Sequence, residues 1–186
     1  MLQPDFSNFP EIKTDRLLLR RITFKDAPEI FQLRSDERVM QFIDKEKAAT
    51  IADATAFIDR IIQLLNTNDG ITWAIVFSNQ PETLIGTIGC WRLIKEHYRA
   101  EIGYMLNPEH WQKGIMTEAL NAVIAYSFNE LKLHSIEAQI NPGNAASAAI
   151  LTSSGFNKEA HFKENFLFNG TFGDTVVYSR LQYKID

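Results

Sequence analysis

A loop with a single glycine that runs directly into a helical pattern is the first feature of this sequence able to do chemistry. In the stretch from Asn107 through Trp111, Gln112, Lys113, Gly114, Ile115 and Met116 to Thr117, Glu118 and Ala119, the loop meets a helix start. The first backbone N–H groups of a helix have no intrahelical partner, and the helix dipole adds positive potential, so an anion is favoured at that point. Lys113 adds a charge, and Gly114 lets the backbone approach a ligand closely. Two readings fit these residues taken alone: a cradle for phosphate, or a turn in which Gly114 and Thr117 merely shape and cap the helix.

Few other residues offer chemistry. Gly86, Gly89 and Gly114 have neither the spacing of a P-loop nor that of a dinucleotide fingerprint, which argues against ATP and NAD. His97, His110, His134 and His161 are scattered without close ligand pairs, so no metal is expected. Cys90, the only cysteine, lies within an apolar run with no activating base nearby in sequence, which reads as a buried structural thiol.

The elements that position the loop follow from apolar spacing. Arg16 to Ile22 is a strand-like run, and Asp26 stands ready to cap a helix with Pro28 in its first turn. Ile51, Ala54, Ile58, Ile61, Ile62 and Leu65 recur at helical spacing behind Thr50. Three strand-like runs follow, Ile71 to Phe77, Leu84 to Leu93 and Arg99 to Leu106, with links short enough for an antiparallel meander. Met116, Ala119, Leu120, Val123, Ile124, Phe128 and Leu131 form the apolar stripe of the helix after the glycine loop. A strand (Ser135 to Ile140), a helix (Ala145 to Ser154) closed by Gly155, and two strands hinged at Asn169-Gly170 complete the chain. A meander followed by a strand-helix-strand crossover predicts a mixed α/β fold: a central, mostly antiparallel twisted sheet with helices on both faces, as one domain over residues 1–186. The ligand crevice is expected between the strand ending at Leu106 and the one ending near Asn141.

The 186 residues carry 45% hydrophobic and 23% charged side chains, ordinary proportions for one globular domain. A formal net charge of −4 argues against nucleic acid and suits a cationic partner such as an amine. The lone cysteine, the absence of a signal pattern in Met1 to Phe9 and the lack of an apolar run near the roughly 20 residues of a membrane span give a cytoplasmic expectation.

Three motifs in order, AEIGYML, WQKGIMTEA and INPGNAASAAILTSSGF, resemble the GNAT acetyltransferase superfamily, and the RimJ/RimL-type branch most of all. TDRLLLRRIT near the start and Val176 to Leu181 near the end also resemble that branch, so the likeness spans nearly the whole chain. It implies an acetyl-CoA-dependent N-acetyltransferase acting on a primary amine, such as a protein N-terminus or a small amine, possible also as a homodimer. The alternative class is a module with the same fold that binds acyl-CoA or a protein partner without catalysis.

By that resemblance, backbone N–H groups over Gln112, Lys113, Gly114, Ile115, Met116 and Thr117 hold the pyrophosphate of coenzyme A. Trp111 and Met116 depart from the family pattern, Met116 by placing a bulky side chain where a small one is usual. The strand Glu101 to Leu106 is expected to splay from its neighbour so that backbone groups at Met105 and Leu106 meet the pantetheine arm, with an N–H near Met105 stabilising the oxyanion. Asn144 is implied to meet the cofactor, and Ser147 to assist the departing thiolate. Both residues also suit helix capping. Glu101 is the candidate general base, since an ammonium of pKa about 10 must lose a proton before attack. Its competing reading is a strand residue paired with Arg99 or Lys95.

Overall fold

In the computed structural model, which describes residues 1–182, the strands are β1 (Ile12–Lys13), β2 (Leu17–Arg21), β3 (Ile71–Phe77), β4 (Gly86–Ile94), β5 (Arg99–Leu106), β6 (Ser135–Ile140), β7 (Asn157–Phe168) and β8 (Thr171–Leu181). The helices are α1 (Ala27–Ser35), α2 (Glu37–Met40), α3 (Ile51–Asn66), α4 (Ile115–Asn129) and α5 (Ala145–Ser153). The strands form one sheet in the order β1-β2-β3-β4-β5-β6-β8-β7, antiparallel throughout except for the parallel pair β5 and β6. Residues 183–186 of the expected 1–186 domain lie outside the described residues.

The sheet is covered on both faces, as the apolar pattern predicts. Trp73, Ala74, Ile75 and Val76 of β3 are all fully buried, because a strand with helices above and below needs no polar alternation. Trp73 and Ile75 share a core with Leu120, Val123 and Ile124 of α4. Ala74 and Val76 face the other way, against Ile30 and Leu33 of α1 and Ala54 and Ile58 of α3. Thr50 and Asp53 form a capping box at the start of α3, fixing where its apolar stripe begins. The short α2 was not legible as a helix, being a single turn held by the Asp36 side chain, which accepts from the Arg38 N–H.

The feature that matters for function is a split. β5 and β6 pair only at Arg99 with Ser135, Ala100 with Ile136 and Glu101 with Glu137, although both strands continue beyond. On the other side of β5, β4 carries a bulge between Cys90 and Arg92, opposite Ile102 and Glu101. A bulge bends a strand pair and increases its twist, and this one sits where β5 parts from β6.

Candidate active site

Beyond Glu101, the backbone of β5 faces an open gap instead of a neighbouring strand. The N–H of Asn107 donates to the Ile85 carbonyl (2.8 Å), so by strand alternation Met105 also points its N–H toward β4. Tyr104 and Leu106 then direct theirs into the gap. The Leu106 carbonyl confirms this orientation by accepting from Trp111 Nε1 at 2.9 Å, on the side away from β4. Of the backbone N–H groups near Met105, those of Tyr104 and Leu106 are the ones that face the gap, while the Met105 side chain packs with α1 and α3.

The glycine loop closes one end of the gap. Gln112 (φ 58) and Gly114 (φ 71) both take left-handed backbone, and Gly114 is the N-cap of α4 without any side-chain cap. The N–H groups of Ile115, Met116 and Thr117 lie in the first turn of α4, before its i→i−4 ladder can supply a partner. The side chain of Met116 is buried in the core cluster shared by α4 and the sheet, which has room for its bulk.

Sequence spacing gave no sign of what braces this loop. Arg16 Nη1 donates to the Lys113 carbonyl (3.0 Å), and Arg16 Nε donates to Glu118 Oε2 (2.7 Å). Glu118 also accepts from the Arg16 N–H (3.0 Å) and the Thr14 hydroxyl (2.5 Å). The turn before β2 is thereby tied to the first turn of α4. Burial works to raise the Glu118 pKa, but the hydrogen bonds from Thr14 and Arg16 and the Arg16 charge outweigh it and hold the carboxyl below its ordinary value.

On the far side of the gap, Asn144 caps α5 by accepting from the Ser147 N–H (3.0 Å). Ser147 is buried, and its hydroxyl lies 2.6 Å from that of Tyr104 on β5. Nothing in the local sequence marks Tyr104 as a partner of Ser147; the structure joins the two across 43 residues of chain. Burial pushes the Tyr104 hydroxyl up to about 12, partly offset by the Ser147 hydrogen bond, so at neutral pH it carries its proton.

Glu101 stands at the apex of the split, with its side chain on the opposite sheet face from Tyr104. Its nearest cation is Arg92, at 4.0 Å; of the two partners expected from sequence, Arg99 pairs with Glu137 (2.8 Å) and Lys95 with Asp69 (2.8 Å). Burial first, and then the Glu137 charge, push the Glu101 carboxyl up to about 7, against the pull of Arg92 and Arg99. That value suits a group that must take up and release a proton near neutrality.

A cavity of about 430 Å³ occupies the gap, lined by Tyr104, Met105, Leu106, Gln112, Gly114, Ile115, Met116, Thr117, Asn144 and Ser147 among others. Of the residues expected at the cofactor, Lys113 alone is not on this lining; it contributes its carbonyl to Arg16 instead. Arg38, Val39, Gln41, Phe42 and Ile43, from α2 and the turn after it, form another part of the wall. Glu101 does not line the cavity. The residues fit coenzyme A: uncapped N–H groups for its pyrophosphate, open strand edges for its amide arm and a partly buried hydroxyl pair for its sulfur.

A sheet split open beside an uncapped helix start is an architecture able to hold an acyl-CoA thioester. Residues 16–157 match the acetyltransferase (GNAT) domain family, so the chain belongs to the GNAT acetyltransferase family and is an acetyl-CoA-dependent N-acetyltransferase. It is 40% identical over 171 residues to the uncharacterized N-acetyltransferase YoaA of Bacillus subtilis, covering 92% of this chain and 96% of that one. It is 25% identical over 178 residues to the [ribosomal protein uS5]-alanine N-acetyltransferase of Escherichia coli K12, covering 92% and 91%. The crystal structure of a GNAT-family acetyltransferase from Bacillus anthracis superposes with a TM-score of 0.82 at 29% identity, covering 92% of this chain and 98% of that chain. No helix among the described residues is long and apolar enough to cross a membrane.

Proposed function

We propose that this chain, acting as one catalytic domain over residues 1–186 in the cytoplasm, acetylates the α-amine of a protein or peptide, with the reaction centred on the split between β5 and β6. The observation that carries this reading is the placement of a proton acceptor and a proton donor on opposite faces of the sheet at one opening. Glu101 lies on the α1 and α3 face at the apex, and the Ser147 and Tyr104 hydroxyls lie on the other. Acetyl-CoA supplies the thioester, its pyrophosphate held by the N–H groups of Gln112 to Thr117, and Asn144 meets the cofactor on the far side of the gap. The amine approaches from the Glu101 side.

Glu101 lies four residues before Met105, about 13 Å along an extended strand, so it removes the ammonium proton through water. The gap-facing N–H groups of Tyr104 and Leu106 stabilise the charge that develops on the thioester oxygen. Ser147, backed by Tyr104, returns a proton to the departing sulfur. A thiol of pKa about 8.5 leaves readily, so this last step contributes less than positioning and oxyanion stabilisation. The similarity to an enzyme named for a ribosomal-protein alanine supports a protein amine as acceptor.

The test is a transfer assay with acetyl-CoA and a panel of acceptors: peptides with free N-terminal alanine, serine or threonine, the same peptides N-terminally blocked, and polyamines. Turnover confined to free N-terminal peptides supports the reading. Turnover confined to polyamines replaces the acceptor while leaving the chemistry in place.

A further inference from the structure

Directly across the parallel pair from Glu101 stands Glu137, in the last paired position before the strands separate. Both side chains are largely covered, at 13% and 15% exposure, and both lie on the same sheet face. Their surroundings are unequal. Glu137 is anchored through both carboxylate oxygens: Arg99 Nη2 lies 2.8 Å from Oε2, and Gln139 Nε2 donates to Oε1 at 2.8 Å. Among the described residues, the one cation within 4.0 Å of the Glu101 carboxylate is Arg92, at 4.0 Å, beyond hydrogen-bond reach. One strand further, Ser179 of β8 faces Glu137 and spends its hydroxyl on Glu159 (2.6 Å).

We propose that Glu137 is a positioning residue for proton removal: held by Arg99 and Gln139, it fixes a negative charge beside Glu101 and so makes Glu101 the carboxyl that takes and returns the acceptor's proton. Two carboxylates at adjacent cross-strand positions repel, and the one with fewer donors is the one that protonates. The charged groups facing Glu101 are Arg92 from β4, Arg99 on its own strand and Glu137 from β6; burial raises its carboxyl most, Glu137 raises it further, and the two arginines pull it back. This inference rests on Glu101 being the base, which the experiment reads separately.

The test is a carbon-13 NMR titration of the glutamate carboxyl signals, with Glu101 and Glu137 assigned by their own Gln variants, alongside acetyl-CoA titration to check that each variant keeps its binding site. In Glu137→Gln the midpoint of Glu101 falls by roughly one pH unit. In Arg99→Gln it rises whatever Glu137 does, because Arg99 itself pulls Glu101 down, so that variant is the control for a readable shift. An unmoved Glu101 midpoint in Glu137→Gln overturns the pairing. Transfer activity distinguishes the two layers: Glu101→Gln that binds acetyl-CoA yet keeps wild-type turnover and pH profile overturns the base reading, and with it any role for Glu137 in the reaction. Loss of turnover in Glu101→Gln with a shifted acidic limb in Glu137→Gln supports both.

Discussion

The hydroxyls of Tyr104 and Ser147 lie 2.6 Å apart, joining β5 to the first turn of α5 across the gap that holds the cavity. Neither residue alone completes this contact, so their contributions to the proton step are shared. Tyr104→Phe and Ser147→Ala each lower kcat roughly ten-fold at saturating acetyl-CoA, and the double variant loses little more than the worse single. Steady-state kinetics of the three variants check this; losses that multiply would mean the two hydroxyls act independently.

Gly114 holds α4 at φ 71 with only Arg16 Nη2 near its absent side chain, at 3.5 Å. Gly114→Ala therefore introduces backbone strain of about 1 kcal/mol without a severe clash. The strain is relieved by moving the loop, so the acetyl-CoA dissociation constant rises about five-fold while the melting temperature falls by only a few degrees, as calorimetry on both quantities would show.

Glu118 is a stability and positioning contact with a definite pH sign. Its folded-state pKa lies below the ordinary value, so the contact with Thr14 and Arg16 contributes fully above the unfolded value of about 4.5 and is lost as pH falls through the lower folded value. Glu118→Gln removes that dependence and raises the KM for acetyl-CoA several-fold with kcat nearly unchanged, because the loop is loosened and no reacting group is removed. Thermal unfolding of both proteins between pH 3 and 7 reads the stability part.

Cys90 is fully buried, and burial pushes its thiol up to about 11 despite the Ser127 hydroxyl at 3.4 Å. A thiolate is the reactive form, so a disulfide reagent labels no thiol in the native protein at pH 8 and one per chain in guanidinium. Rapid native labelling would contradict this burial.

Most of the architecture was legible because its signals are local. The apolar run of β3, the stripe of α3 behind Thr50 and the turn at Asn169-Gly170 each specify an element within one window of sequence. The glycine loop and the Asn144 cap were legible for the same reason, since helix starts announce themselves in adjacent residues. Partnerships between distant segments were not. Arg16 meets Glu118 across 102 residues, Tyr104 meets Ser147 across 43, and Glu101 meets Glu137 only because β5 and β6 are paired in one register. No periodicity encodes those meetings. Which N–H near Met105 faces the gap was not legible either, because it depends on which neighbour the strand bonds and not on which residue occupies the position.

The most direct test of the central claim is calorimetric titration of acetyl-CoA into the protein, with dephospho-coenzyme A and NADH as comparison ligands. Saturable binding at one site per chain, selective for acetyl-CoA over NADH and weakened in Gly114→Ala, is the predicted result. Absence of saturable binding, or binding that Gly114→Ala leaves untouched, would contradict a cofactor site at the start of α4.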